Sequence, residues 1–294
     1  LFALMAMALT LGSCSDNENG IGGETSKYIT VSTSIGNMTR VATDAKGGQT
    51  FEEGDEISVY AWTGAPTVAP ETSERVVNNA INKLTNGSWV STPQMLWKNN
   101  RDKHYFIGVY PTAAISDLSA GEYTFDVNKQ TESDLLVAVN PDGLSYSADA
   151  QQTVPLTFTH VMAKLAVNLT YKNQWGGIPT VEKVVVGNAA KEATINYLTK
   201  VVTPSTTAKE DFSLPEITEN TKYVSVIIPQ EDVKQLTIVI GGKNFVYDNG
   251  TPFKLESGKI TTINLEVGRN EIKLGDVKIT DWEDGSTFGG EALN

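Results

Sequence analysis

From residue 28 onward the chain is a succession of short runs in which apolar side chains recur at every second position. A period of two suits a pleated strand with one face buried, and it constrains the fold more than any other feature. In "YITVSTSI" (28–35), Ile29, Val31 and Ile35 fall on one face and Tyr28, Thr30, Ser32 and Ser34 on the other. The runs "DEISVYAW" (55–62), "HYFIGVYP" (104–111), "EYTFDV" (122–127) and "DLLVAV" (134–139) are bounded by glycine, proline, asparagine or aspartate. "VEKVVVG", "KYVSVIIP", "QLTIVIGGKNFVYD" and "KITTINLEV" continue the pattern. Gly241-Gly242 between two apolar runs predicts a hairpin turn. The best helical spacing is in "SERVVNNAINKL" (73–84), where Val77, Ala80, Ile81 and Leu84 recur at three and four residues. The expected class is all-β, built from sandwiches.

Two domains are expected. "NPDGLSYSADAQQT" (140–153) is polar and rich in turn formers, and the strand signal resumes in "VPLTFTHVMAKLAVNLTY" (154–171). There the parity changes. Val154, Leu156, Phe158 and Met162 are even, whereas Val161, Leu165, Val167 and Leu169 are odd. One face of one strand cannot bury both sets, so a bulge is expected between His160 and Lys164. The expected division is a sandwich over 27–152 and a second over 153–294, after a segment 1–13 and a tether 14–26.

The N-terminal residues carry a different signal. The run "LFALMAMALTLG" ends at the only cysteine, Cys14, and "SDNENGIGGETS" follows it. The apolar run has about the length of a secretory h-region and is too short to span a bilayer. Leu11, Gly12 and Ser13 before Cys14 resemble a bacterial lipobox, in which the leader is removed and Cys14 becomes the lipidated N-terminus. No positively charged n-region precedes the run, so the expectation is a chain that starts inside its signal. The competing reading is a core cysteine in an N-terminal helix, but the polar stretch after it has nothing to bury. One cysteine permits no internal disulfide.

Charge and motifs exclude several functions. The formal charge of -12 opposes binding to nucleic acid or to anionic lipid surfaces. HExxH, GxSxG, GxxxxGK[ST], GxGxxG and CxxC are all absent. The two histidines, His104 and His160, lie in β runs, where backbone hydrogen bonding is the simpler role. No catalytic residue, metal site or cofactor is expected. Trp62, Trp89, Trp97 and Trp175 have two readings: core packing, or an exposed stacking face for sugars. The second would describe a glycan-binding surface lipoprotein.

Several stretches in order resemble the fimbrillin (type V pilin, Mfa-like) family of Bacteroidales. They are the lipobox with its acidic "SDNE", "ITVSTSIGNMTRVAT", "FEEGDEISVYAW", "FTHVMAKLAVNL" and "LEVGRNEIKLGDVKITDWEDG". The resemblance implies two tandem transthyretin-like sandwiches, and export as an outer-membrane lipoprotein at the cell surface. It also implies assembly with other pilin subunits, and adhesion to a host protein or glycan. It further implies proteolytic processing between Arg40 and Val41. On composition alone, Thr39-Arg40 is an ordinary exposed loop.

Physical chemistry supplies a mechanism for assembly. If the first strand is removed, the groove left behind needs replacements for Ile29, Val31 and Ile35, worth about 1.5–3 kcal/mol each when fully buried. Unpaired ladder amides add to that need. A strand from another subunit would satisfy both, and because donor and groove lie on different surfaces the contact runs head to tail. The candidate donor is "NEIKLGDVKITDW" (270–282), where Ile272 and Leu274 are even while Val277 and Ile279 are odd. Gly275 is therefore expected to mark a bulge or bend dividing two short strands. The resemblance implies that a shaft subunit carries a C-terminal appendage serving as donor; the tail here, "STFGGEALN", is polar and poor in strand formers, and that departure favours a tip or accessory subunit. The segment 270–282 serving as donor is the other reading.

Overall fold

The computed structural model describes residues 27–36, 51–146 and 153–282. The strands are β1 (Thr30–Ile35), β2 (Glu56–Thr63), β3 (Val77–Thr85), β4 (Ser88–Thr92), β5 (His104–Tyr110), β6 (Gly121–Thr124), β7 (Leu136–Leu144) and β8 (Thr153–His160). They continue as β9 (Ala163–Tyr171), β10 (Val181–Ala190), β11 (Glu192–Asn196), β12 (Val201–Pro204), β13 (Lys209–Ser213) and β14 (Glu216–Thr218). The last are β15 (Lys222–Ile227), β16 (Gln235–Ile240), β17 (Lys243–Asp248), β18 (Lys259–Val267) and β19 (Ile272–Asp281). The fold is all-β, as the alternation predicts.

A seven-stranded sheet runs β1-β8-β7-β5-β2-β3-β4. Only β1 is parallel to its neighbour, β8. The sheet curls until β1 reaches the chain after β4, where Tyr28 bridges Leu96. Inside the curl lies a core that includes Ile29, Val31, Ile57, Val59, Met95, Trp97, Phe106, Leu156 and Phe158. β2 is buried on both faces. Ile57, Val59 and Ala61 point into this core, and Tyr60 and Trp62 point into a second one.

The second core lies between a five-stranded sheet, β14-β15-β9-β18-β19, and a four-stranded one, β13-β10-β16-β17. Leu165, Val167, Leu169, Ile263, Leu265 and Val267 from the first pack with Val184, Val186, Leu236 and Ile238 from the second. A three-stranded sheet, β12-β11-β6, joins a strand of the N-terminal half to two of the C-terminal half. The hairpin at Gly241-Gly242 forms as expected, both residues having positive φ (57° and 70°) between β16 and β17.

Two expectations need correction. The helical spacing in 73–84 belongs to a strand, β3, preceded by a single 3-10 turn at Thr72–Glu74. Asn79 takes a left-handed φ of 57°, and the β2–β3 register slips between Val59 and Ala61. That bulge lets Val77 and Ala80, three residues apart, face the same core. The parity change near His160 is not a bulge inside one strand. β8 ends at His160, β9 begins at Ala163, and the two belong to different sheets. The even set on β8 fills the core inside the curl, and the odd set on β9 fills the other. β8 therefore stands in the sheet of the N-terminal strands.

Candidate assembly surface

β1 is seated by two edges at once. On one side all six of its residues pair with β8, from Thr30 against Thr153 to Ile35 against Phe158. Thr30 and Thr153 share a hydroxyl contact at 3.3 Å, and Ser34 Oγ donates to Thr157 Oγ1 at 3.2 Å. On the other side Ile29 N–H donates to Met95 O at 2.9 Å and Trp97 N–H to Lys27 O at 3.1 Å. Trp89 Nε1 reaches Thr33 Oγ1 at 3.0 Å. Ile29 and Val31 are buried, while Ile35 is half-buried at the rim of the same core. Two full burials and part of a third amount to about 4–7 kcal/mol, somewhat less than three full ones. Withdrawing β1 would strip backbone partners from β8 and from the segment around Met95, and would expose Leu156, Phe158 and Trp97.

The chain at the other end folds back on itself. β19 pairs antiparallel with β18 over its length, from Val267 against Ile272 to Lys259 against Asp281. Between Leu274 and Val277 two residues, Gly275 and Asp276, stand opposite Asn264 alone. The bulge expected at Gly275 is there. It does not split the segment into two strands, because β19 runs on unbroken from Ile272 to Asp281. A Cβ built on Gly275 would press to 3.2 Å on Asn264 O, which explains the glycine at that close approach. Asn264 Nδ2 donates to Asp276 Oδ1 at 2.6 Å and fixes the bulge.

Trp282 directly follows the strand and is buried. Its ring stacks on His160 at 4.1 Å between centroids and 6° between planes, and Lys164 Nζ lies 4.8 Å from its centre. His160 Nδ1 contacts Asp134 Oδ1 at 2.8 Å. The stack and the Asp134 contact stand where a backbone partner is expected for His160 from sequence. The stack's signal was the isolated aromatic after a polar-edged strand. His104 does follow the backbone pattern: Nδ1 lies 3.1 Å from Asp102 O, and Nε2 accepts from Lys98 N–H at 3.1 Å. Burial holds its pKa below the ordinary histidine value.

The tryptophans are packed. Trp62 and Trp97 are buried, and Trp89 and Trp175 are half-buried with their indole N–H groups donating inward, to Thr33 Oγ1 and Val267 O. No tryptophan is exposed as a stacking face for sugars. Among the described residues no cluster of metal-ligating side chains occurs, and no helix is long and apolar enough to cross a membrane. Cys14, Arg40 and Val41 lie outside the described residues.

Layered β-sheets with one strand clipped into a curled sheet define a structural class of β-sandwich protein. A family model described as fimbrillin-like matches residues 39–282, and the chain belongs to that family. Among solved structures it is similar to a candidate cell adhesion protein from Bacteroides uniformis, with 19% identity and a TM-score of 0.65, covering 87% of this chain and 99% of that one. A fimbrial protein from Bacteroides vulgatus matches with 13% identity and a TM-score of 0.52, covering 86% and 99%. The tip fimbrial protein Mfa3 from Porphyromonas gingivalis matches with 12% identity and a TM-score of 0.51, covering 79% and 95%. At these identities the likeness is one of fold. No match occurs among curated proteins.

Proposed function

We propose that this chain is a subunit of a cell-surface fimbrium that receives a donor strand from another subunit in the place of β1. Its family supports the first part, and the seating of β1 supports the second. β1 is short, polar on its outer face and parallel to β8, and two unpaired edges would remain after it leaves. Cleavage after Arg40, with Val41 as the new N-terminus, is the proposed trigger. Before that step Cys14 would anchor the chain to the outer membrane through lipid.

The single observation that carries the role is the pairing of β19 with β18 from Ile272 to Asp281. A strand paired in its own sheet and closed by buried Trp282 is occupied, which favours a tip or accessory subunit that accepts a strand and donates none. The proposed architecture is two sandwich domains, with the change of sheet at residues 161–162.

Arg40→Ala tests the reading. It is expected to leave a protease-resistant monomer that does not join fimbriae, whereas Lys27→Ala is expected to assemble as the parent does. Equal assembly of Arg40→Ala and the parent would overturn the cleavage step.

A further inference from the structure

The outer edge of β19 is a second surface that exchange at β1 does not use. Ile272, Leu274, Val277 and Ile279 stand opposite Val267, Leu265, Ile263 and Thr261 of β18, all four of which are buried. Directly opposed residues share a face, so the bulge at Gly275 aligns four aliphatics in a row that continues the core one strand further. Leu274, Val277 and Ile279 nevertheless remain 36%, 38% and 40% exposed. The other face of the strand carries Lys273, Asp276 and Lys278. β19 is the last strand of its sheet, so its outer backbone groups have no strand partner among the described residues.

The strand is close to a palindrome about Val277. With Gly275 and Asp276 counted as one ladder position, antiparallel pairing with a second β19 sets Val277 against Val277 and Leu274 against Ile279. On the opposite face it sets Asp276 against Lys278 twice, once on each side of the dyad, and Lys273 against Thr280. Ile272 meets Asp281 at the open ends. Within two ladder positions of the dyad apolar meets apolar and acid meets base.

We propose that β19 is a self-association edge, through which two copies of this chain join their five-stranded sheets about a dyad at Val277. Charged side chains and bulges ordinarily guard an edge strand. A lysine guard works by opposing like charges, and here the dyad opposes Lys278 to Asp276 instead. The contact is isologous and closes at two copies, which separates it from any head-to-tail joining. One strand pair is small against a standard interface, so the association belongs to the weak and reversible class. The inference rests on β19 alone and does not depend on strand exchange.

Disulfide trapping reads the dyad directly. Antiparallel neighbours have Cα atoms about 4.5–5.5 Å apart, within reach of a disulfide. In the full chain with Cys14→Ser, which removes the only native cysteine, Val277→Cys is expected to form a covalent dimer under mild oxidation. Thr280→Cys, several ladder positions off the dyad, is expected to form at least about tenfold less. By sizing in mild detergent, Asp276→Lys is expected to weaken the dimer and Asp276→Lys with Lys278→Asp to restore it. Melting of each variant separates loss of the Asn264–Asp276 bond from loss of the dimer. No trapping at Val277, equal trapping at Thr280, or a double variant as weak as the single would overturn the proposal.

Discussion

His104 sits in the inner core with both ring nitrogens committed, one facing Asp102 O and the other accepting from Lys98 N–H. Burial, the largest cause, pulls its pKa down, outweighing the attraction of Asp102. The unfolded chain therefore binds a proton at higher pH than the folded one. The stability held by neutral His104 is full above about pH 6.5 and is lost as pH falls towards the folded pKa. His104→Gln is expected to flatten that loss, measured as the urea midpoint between neutral and mildly acidic pH. Trp282 poses a separate test at the same scale. It stacks flat on His160 and is buried, so Trp282→Ala is expected to cost about 3–5 kcal/mol by chemical denaturation. A cost under about 1 kcal/mol would reduce the stack to incidental contact.

Among elements, β1 and β19 differ in how they are held: β1 is clipped between β8 and the segment around Met95, and β19 pairs along its length with β18. Ile29→Ala is expected to cost about 2–5 kcal/mol, and Ile35→Ala distinctly less because Ile35 is half-buried at the rim. Truncation after Asn270 removes one of the two strands paired with β18, leaving β9, and uncovers Ile263, Leu265 and Val267. It is expected to lower the melting temperature while leaving the β1 groove able to accept a strand. A truncated protein that melts like the parent and fails to assemble would reverse the tip or accessory assignment. The sequence made these elements visible because a half-buried strand alternates, as in Ile29, Val31 and Ile35. The parity break at Gly275 was equally visible, because a bulge shifts alternation by one. Where a bulge and a helix give the same spacing, as from Val77 to Ala80, sequence alone misleads. The break at His160 was legible as a break, but its nature was not. A bulge and a jump between sheets both reverse parity, and only the long-range partners of β8 and β9 distinguish them. The Trp282–His160–Asp134 contact was beyond reach, since it joins residues far apart in sequence through side chains alone.

At the scale of the molecule, the chain is held together across its middle. The larger core takes Tyr60, Ile107 and Val137 from the N-terminal strands together with Leu165, Val186 and Ile263 from the C-terminal ones. Loss of β1 would open the core inside the curl and leave this larger one in place, as the proposed exchange requires. The formal charge of -12 opposes the approach of like copies. Assembly is therefore expected to rise with salt from low ionic strength towards about 0.15 M, where screening sets in within about 8 Å. Assembly that falls with salt over this range would place a favourable charge contact at the joint. The most direct test of the central claim is the mass of this subunit within purified fimbriae. Subunits that begin at Val41, with residues 27–36 gone, are expected. Assembled subunits that still carry residues 27–36 would contradict it.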